Sequence, residues 1–511
     1  MTSSGFRRLG VAPLAIAGAV ALGLTATVTP PFLVAAQAVM TEVAPLNDET
    51  DTTALFVGPT GVPIPPQPYI DILNDLFVHC DPPACTPQGL ATPEGLYPIT
   101  GVKSLPLDAS LAQGVTILNN AIGQQISDGH DVIVSGYSQS SVVASMEMAN
   151  IVNGSAGIHP DPDQLSFVLL GDSSNPNGGM LERFDLPEGT NPSIASLGIT
   201  FNGAQAVTEY PTDIYTGEYD GFADFPRYPI NFLSDLNALL GLLFVHLAYP
   251  ALTPDQIANA VEVPTSAGYA GDTTYYMIPT EHLPLLDPLR LIPVVGPLFA
   301  DLIEPDMRVL VNLGYGDPEF GWVNADANVP TPAGLFPSLN DLEKVPGALL
   351  QGTEQGIQQF IGDLENPSQL LSPAENPILE LIQNPAIQQL IGPVLFGGGF
   401  GFSLPTEPPS DSLLSIVNAL SGAVSAGYSA LLPTADIANA LLTSLPAYDA
   451  NIFSDQLADG NLLDAIGLPI AVDVGLVQIA ATFELLGVGG AAAGAAIDLA
   501  SPFVDVSSLL P

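Results

Sequence analysis

The sequence contains very few basic residues. Its 511 residues include 8 Lys and Arg against 53 Asp and Glu, which gives a formal net charge of −45. A surface of this sign repels phosphate backbones and anionic lipid headgroups. The composition therefore excludes nucleic-acid binding, and we expect no nucleic-acid partner.

Charged residues of either sign are also scarce, at 12% of the chain, whereas hydrophobic residues make up 47%. The mean hydropathy is +0.36. An apolar content this high excludes disorder throughout the chain. The length allows one enzyme-sized domain and an appended region.

Cysteine is nearly absent. The two cysteines, Cys80 and Cys85, are five positions apart around two prolines, and this short loop favours a disulfide in an oxidising compartment. With only His79 beside them they make a poor zinc site, and the sequence has no nucleotide-binding or zinc-protease motif. We therefore predict no metal and no cofactor.

The first 38 residues have the pattern of an export signal. Arg7 and Arg8 precede an uncharged, mostly apolar stretch at 9–28, and an Ala-x-Ala pattern at 36–38 comes before an acidic segment. The apolar stretch is close to the ~20 residues that a membrane span needs, so an uncleaved N-terminal anchor is the alternative. We expect an exported protein, secreted or in the cell envelope, with any membrane association through this segment.

Residues 50–325 alternate short β-branched runs with helical patterns, which predicts an α/β domain around a mostly parallel sheet. Apolar positions between 111 and 126 recur every three or four residues and predict a helix, and a second helix is expected after Ser138. The predicted strands are 54–57, 131–135, 166–170, 198–201 and 213–219.

Residues 345–511 differ in composition. They contain no Lys, Arg or His, and prolines and glycines interrupt their apolar patterns. These interruptions predict short helices that pack together or against the first domain. We expect a mainly helical, acidic and apolar region without chemistry of its own.

The pentapeptide Gly136-Tyr137-Ser138-Gln139-Ser140 lies between a predicted strand and a predicted helix. A serine in such a turn is exposed at the sheet edge, at the start of a helix whose amides can stabilise an oxyanion. The usual elbow reads Gly-x-Ser-x-Gly, and here a serine holds the last position. We predict that Ser138 is a nucleophile.

A nucleophilic serine needs a histidine base and an acid that orients it. In hydrolases of this fold the chain order is serine, acid, histidine. That order leaves His246 and His282 as candidate bases. Asp220, the first residue after the strand at 213–219, is favoured as the acid over Asp224.

The loop Val57-Gly58-Pro59-Thr60-Gly61 follows the first predicted strand, where such folds supply an oxyanion donor. Thr60 can offer its amide and its hydroxyl, and Gln139 offers a second amide. The alternative is a plain Pro-Gly turn.

These motifs together resemble the PE-PPE domain serine hydrolases of mycobacteria and their relatives, which are similar to cutinases. The resemblance covers roughly residues 50 to 320 and rests on six separated motifs in one order, VGPTG (57–61), GYSQS (136–140), GDSSNPNGGMLERF (171–184), YDGFADFPRYPIN (219–231), HLAY (246–249) and HLPLLDPLR (282–290). The family loop often has glycine where this chain has Pro59, which removes one backbone donor.

The resemblance implies an exported α/β-hydrolase that cleaves esters and, in some members, transfers acyl groups between lipids or onto trehalose. It also implies that His246, in HLAY, is the general base.

We therefore expect a cutinase-like α/β-hydrolase that acts as a serine esterase on lipid or acyl esters, through Ser138, His246 and Asp220. An acyltransferase with the same triad, using a sugar acceptor such as trehalose, is one alternative. A non-catalytic envelope interaction protein is the other.

Overall fold

The computed structural model describes residues 52–366, 370 and 412–503. An α/β domain is built around a seven-stranded sheet. The strands are β1 (Thr52–Val57), β2 (Cys85–Leu90), β3 (Asp131–Tyr137), β4 (Leu165–Leu170), β5 (Thr212–Gly217), β6 (Val261–Val263) and β7 (Thr273–Ile278). Their order across the sheet is β2-β1-β3-β4-β5-β7-β6, and only β6 is antiparallel to its neighbour. The predicted mostly parallel α/β fold is confirmed.

Nine longer helices accompany this sheet in the described ranges. They are α1 (Gln67–Leu73), α2 (Leu107–Asp128), α3 (Gln139–Asn153), α4 (Phe232–Phe244), α5 (Val295–Asn312), α6 (Leu339–Glu365), α7 (Leu413–Leu442), α8 (Ser444–Ala458) and α9 (Leu462–Ala500). The last four make the region after the α/β domain helical, as the composition predicts.

The inner strands are buried on both faces. In β1, Leu55 and Val57 join one apolar cluster, while Ala54 and Phe56 join a second cluster on the opposite face. Successive side chains of a strand point to opposite faces, so a parallel sheet needs helices on both sides. The sheet core is therefore closed on both faces, and polar side chains that serve the site collect at strand ends.

Helices α2 and α3 pack against each other on one side of the sheet. A β-carbon on Gly114 of α2 would lie 2.9 Å from Val143 Cγ2 of α3, so glycine permits this close approach. Because α3 begins directly after Ser138, its packing against α2 fixes the position of that residue.

The prediction of a strand at 198–201 is wrong. Only Ile199–Thr200 is extended, and it pairs with Ser193–Ile194 outside the main sheet. Conversely, β2, β6 and β7 were not predicted. Pro87 and Gly89 lie inside β2 and weaken its sequence signal. The strand is at the edge of the sheet, where a proline is tolerated.

Cys80 and Cys85 form a disulfide, and Cys85 is the first residue of β2. Both residues are buried in the apolar cluster that contains Phe56 and Phe77. The bridge therefore closes the loop that leads into the edge strand.

The prediction of short helices after residue 345 is wrong. Helices α6 to α9 have 27, 30, 15 and 39 residues, and Pro346, Pro433 and Pro469 lie inside three of them. A proline inside a helix costs about 3 kcal/mol. Here Pro433 of α7 and Pro469 of α9 are buried, and tertiary packing rather than local propensity stabilises these helices.

The helical region does not pack as one unit. Helix α6 packs against α5, where a β-carbon on Gly356 would lie 2.0 Å from the Leu302 carbonyl oxygen. Helices α7, α8 and α9 pack together. The expected boundary at residue 345 falls inside α6.

Three helical stretches of the described residues have the length and apolar composition of a membrane span. They are Phe232–Ala251, Leu413–Ala458 and Leu462–Ala500. In the most apolar window of each, 50%, 11% and 33% of the residues are buried inside the protein. The first of these is therefore largely a core element of the α/β domain.

Candidate active site

Ser138 occupies the sharp turn between β3 and α3. Its backbone has φ 62° and ψ −122°, a conformation that residues other than glycine rarely adopt. A β-carbon on Gly136 would lie 2.8 Å from the Ser140 carbonyl oxygen, so this tight turn requires glycine there. The geometry is that of a nucleophile elbow, which presents the serine hydroxyl at the carboxyl edge of the sheet.

Ser140 stands where the usual elbow has its second glycine. Its buried hydroxyl accepts a hydrogen bond from the Tyr137 amide at 2.8 Å and lies 3.0 Å and 3.2 Å from the carbonyl oxygens of Tyr137 and Val57. The serine fits because its polar atom is satisfied within the turn. It also links the elbow to the end of β1.

His246 faces Ser138. It is the first residue of the 3-10 helix His246–Ala251, which directly follows α4, and its Nε2 lies 2.7 Å from Ser138 Oγ. The ring packs edge-on against Phe222, with 4.7 Å between ring centroids, and the Tyr137 hydroxyl donates to the His246 carbonyl. The imidazole is thus held by contacts on its ring and on its backbone.

Asp220 lies in the turn after β5 and contacts the other ring nitrogen of His246. Its carboxylate oxygens are 2.8 Å and 2.9 Å from His246 Nδ1. They also accept hydrogen bonds from the Tyr249 hydroxyl and from the Phe222 amide, each at 2.9 Å. A carboxylate at Nδ1 favours the tautomer that leaves Nε2 free to accept the Ser138 proton.

The alternative acid, Asp224, does not face His246. It is fully buried and accepts a hydrogen bond from the Tyr219 amide at 2.9 Å, so it caps the loop. Burial raises the pKa of its carboxyl well above the ordinary value. The chain places Asp224 outside the contacts of the imidazole because the loop turns back on itself after Asp220.

The alternative base, His282, is engaged elsewhere. Its Nδ1 is 3.7 Å from the Glu304 carboxylate, in an ionic cluster in which Arg290 contacts Asp301 at 2.6 Å and Glu304 at 2.7 Å. His282, Asp301 and Glu304 could converge on a cation, but the Arg290 guanidinium already contacts both carboxylates. The structure thus places His282 among these charged groups, whereas His246 contacts Ser138.

The loop after β1 and the start of α3 meet beside Ser138. The Thr60 hydroxyl donates to Gln139 Oε1 at 3.0 Å, and Gln139 Nε2 donates in turn to the Ser110 hydroxyl at 2.6 Å. The hydroxyl of Thr60 is therefore committed to Gln139, which differs from the expectation that it serves an oxyanion together with the amide.

The backbone amides of this loop differ in whether they already have a hydrogen-bond acceptor. Those of Gly61 and Val62 donate to the carbonyls of Glu94 and Pro59 at 2.8 Å and 2.9 Å, whereas the Thr60 amide has no acceptor in the described part of the chain. The Gln139 amide opens α3, where helix geometry provides no acceptor. The pair of amides that the sequence suggested can thus serve an oxyanion.

The Ser138 hydroxyl opens into an apolar pocket. Its polar lining residues are Thr60, Ser138, Gln139 and Ser173. The other lining residues are apolar, and those from the α/β domain include Leu96, Met180, Leu181, Phe201 and Phe222. No charged side chain of the described residues lines this pocket. An apolar pocket with a few polar groups at one point suits a hydrocarbon ligand that carries one reactive polar group.

Two further residues of this site are not among those predicted from the sequence. Tyr249 bridges Asp220 and the Gly217 amide, which donates to the tyrosine hydroxyl at 2.8 Å. Gly171, after β4, lies against the His246 ring. Both belong to motifs already recognised, and the spacing of His246 and Tyr249 in a 3-10 helix is the signal that could have identified the tyrosine.

Comparison with known proteins relates the chain to one family. The family model of the PE-PPE domain matches residues 83–316. The PPE family protein PPE28 of Mycobacterium tuberculosis is 41% identical over 465 residues, which are 88% of this chain and 67% of that protein. Esterase PE16 of the same organism is 47% identical over 322 residues, 62% of this chain and 58% of that protein.

A third relative from this organism is the SL1278 acyltransferase Chp1, 31% identical over 234 residues, which are 46% of this chain and 55% of that protein. The chain thus spans between 55% and 67% of the length of these three relatives. Among solved structures, a cutinase-like protein from Cryptococcus sp. covers 35% of this chain and 82% of its own, with 14% identity and a TM-score of 0.22.

Proposed function

Because the chain belongs to the PE-PPE domain family, we propose that it is a serine hydrolase that cleaves carboxylic esters of lipids. The observation that carries this proposal is the hydrogen-bonded series from Ser138 Oγ through both nitrogens of His246 to Asp220. The series ends at a strained elbow that opens into an apolar pocket. The relationship to Esterase PE16 supports the same reaction class.

In the first half of the reaction, Ser138 Oγ attacks the ester carbonyl carbon while His246 Nε2 takes the hydroxyl proton. The 2.7 Å separation of these atoms is within the range for that transfer. The imidazolium then gives the proton to the departing alkoxide, and the acyl group stays on Ser138 as an ester. Asp220 holds His246 Nδ1 and stabilises the imidazolium.

In the second half, water gives a proton to His246 and attacks the acyl-enzyme carbonyl. The tetrahedral intermediate collapses, the carboxylic acid leaves, and Ser138 recovers its proton. In both halves the amides of Thr60 and Gln139 bind the carbonyl oxygen as it becomes negative. Fixed donors of this kind stabilise the transition state because they need no reorganisation.

Acyl transfer is the second candidate function, and the relationship to an acyltransferase favours it. A sugar or lipid hydroxyl, such as one of trehalose, would replace water in the second half of the reaction. The triad has the same role in both cases. The two differ in whether water or a hydroxyl acceptor reaches the acyl-enzyme.

We further propose that the protein acts outside the cytosol, in the cell envelope or as a secreted enzyme. The disulfide between Cys80 and Cys85 supports an oxidising compartment. The export signal or anchor predicted at residues 1–38 lies outside the described residues. Its cleavage decides between secretion and anchoring.

A fluorophosphonate probe tests the proposal directly, because it labels only an activated serine. We expect labelling of the folded wild-type chain and none of Ser138→Ala or His246→Ala. His282→Ala is the matched control, since it removes a histidine outside the triad, and we expect it to be labelled like the wild type.

Hydrolysis of a p-nitrophenyl ester by the same four proteins, with and without trehalose, separates the two reactions. Release of the free carboxylic acid supports hydrolysis. Formation of acyl-trehalose, with a matching decrease in free acid, supports acyl transfer. A folded wild-type chain without labelling or turnover would contradict both and favour a non-catalytic envelope protein.

A further inference from the structure

The pocket above Ser138 has two walls that come from distant parts of the chain. One belongs to the α/β domain and includes Val142 of α3. The other belongs to the C-terminal helices and includes Ile437 of α7, Leu445 of α8 and Ile479 of α9. All four of these side chains are at least nine-tenths buried. Three helices of a region without basic residues thus complete a cavity that Ser138 also lines.

Hydrogen bonds fix α7 to the α/β domain next to the pocket. The Tyr97 hydroxyl donates to Asp436 Oδ2 at 2.6 Å, and the Ser196 hydroxyl donates to the Asp436 carbonyl at 2.7 Å. Asp436 immediately precedes Ile437, which packs in one apolar cluster with Tyr97 and Leu197. The wall residue on α7 therefore has a defined position.

Helices α8 and α9 are held in the same way. The buried Tyr448 hydroxyl donates to the Phe184 carbonyl at 2.8 Å, and Gln478 Nε2 donates to Asp235 Oδ2 at 2.7 Å. A β-carbon on Gly475 would lie 3.2 Å from Phe184 Cζ, so glycine lets α9 approach the domain closely. Gln478 immediately precedes Ile479, so the wall residue on α9 is also anchored.

We propose that α7, α8 and α9 form the acyl-binding wall and that their pocket-facing residues set the length of the acyl chain that the enzyme accepts. This inference rests on the proposed function, because it places the acyl group of the Ser138 ester between the two walls. Only four of the pocket's lining residues are polar, with Ser138 among them, and the remainder is hydrocarbon from both walls. Each methylene that enters such a surface strengthens binding about fourfold.

The chemistry of the lining also selects the ligand. A sugar or peptide in this space would leave its polar groups without partners, which is costly in an apolar site. An acyl chain has none, apart from the ester that meets Ser138. The acceptor alcohol or water must reach the serine from outside the apolar space.

Two neighbouring alanines of α9 provide a matched test. Ala480 lines the pocket, whereas Ala481 is exposed to solvent. Ala480→Phe fills the apolar space and Ala481→Phe adds the same group outside it. Phe483→Ala is the opposite change, because Phe483 also lines the pocket and its truncation enlarges it.

The measurement is kcat/KM of the full chain for butanoyl, octanoyl and hexadecanoyl p-nitrophenyl esters, with fluorophosphonate titration giving the fraction of active serine. We expect the long-to-short ratio to fall at least about tenfold in Ala480→Phe, which corresponds to the loss of two or more bound methylenes. The ratio should stay within about twofold of wild type in Ala481→Phe and rise in Phe483→Ala.

Unchanged ratios in both pocket variants, with the serine still titratable, would overturn this inference and leave the proposed function intact. A folded wild-type chain whose serine does not titrate would instead overturn the proposed function. If Ala480→Phe does not fold, the direction of the shift in Phe483→Ala decides the question alone.

Discussion

Gly171 has no side chain, and the His246 ring occupies the space that a side chain at this position would need. A β-carbon on Gly171 would lie 2.9 Å from His246 Cε1, 3.1 Å from its Nδ1 and 3.2 Å from Asp220 Oδ2. The residue follows β4 and has φ +59°, and its amide donates to the Tyr215 carbonyl at 3.0 Å. One glycine thus lies against both members of the histidine-carboxylate pair without supplying a side chain.

Gly171→Ala should displace the imidazole by a few tenths of an ångström or more. We expect kcat/KM for a short p-nitrophenyl ester to fall by about a hundredfold, because small misplacements of a catalytic group have effects of this size. Fluorophosphonate labelling should slow in parallel, since both reactions need the Ser138 proton to move to His246.

Gly154→Ala is the control for this change. Gly154 also has positive φ, at +79°, but a β-carbon there meets nothing within 4 Å. The two variants share the backbone cost of about 1 kcal/mol and differ in the clash. Equal activity losses in both would show that Gly171 matters only for stability.

Tyr249→Phe removes the hydroxyl that joins Asp220 to the Gly217 amide. We expect kcat to fall about tenfold with little change in KM, because Asp220 keeps its contact with His246 but loses one of the donors that orient it. Steady-state kinetics that give kcat and KM separately check this. Tyr210→Phe removes another buried hydroxyl, which donates to the Pro160 carbonyl, and should leave kcat unchanged.

Local sequence signals predict two of the three residues that the structure brings together, Ser138 and Asp220. Ser138 is marked by a strand, a glycine-containing turn and a helix in succession, and these depend on neighbouring residues only. Asp220 was favoured because it follows a strand directly, and β5 ends three residues before it. His246 could not be separated from His282 by chain order, and only the family motif favoured it.

The pocket wall could not be predicted, because it depends on contacts across about three hundred residues. Ile437 and Ile479 lie in helices that are apolar on several faces, so periodicity does not indicate which face meets the α/β domain. The prolines of α7 and α9 predict breaks in these helices, but tertiary packing keeps both helices continuous. Strand β2 was missed for the related reason that an edge strand tolerates a proline.

Thr60→Val should retain most of the activity. The hydroxyl of Thr60 donates to Gln139 Oε1, so the amide is the group free to bind an oxyanion, and valine keeps that amide. We expect kcat to fall by less than about tenfold in turnover of the short ester. A loss of the hundredfold size seen when an oxyanion donor is removed would show that the hydroxyl contacts the substrate.

Glu94 connects the same loop to the pH dependence of stability. Its side chain is almost fully buried, its carbonyl accepts from the Gly61 amide, and its Oε1 accepts from the Thr92 hydroxyl at 2.6 Å. Burial raises the pKa of this carboxyl from 4.5 to about 8. Because the folded pKa is the higher one, folding favours the protonated acid.

This contribution to the free energy of unfolding is complete below the unfolded pKa and is lost as the pH rises towards about 8. In urea titrations between about pH 5 and pH 8, Glu94 should lower the free energy of unfolding by at most about 1.4 kcal/mol per pH unit. Glu94→Gln is neutral at every pH, so its slope should be shallower than that of wild type. Glu209→Gln, on an exposed residue, should keep the wild-type slope. Equal slopes for Glu94→Gln and wild type would mean that Glu94 is ionised in the folded protein, and the loop that carries Thr60 would then tolerate a buried charge beside it.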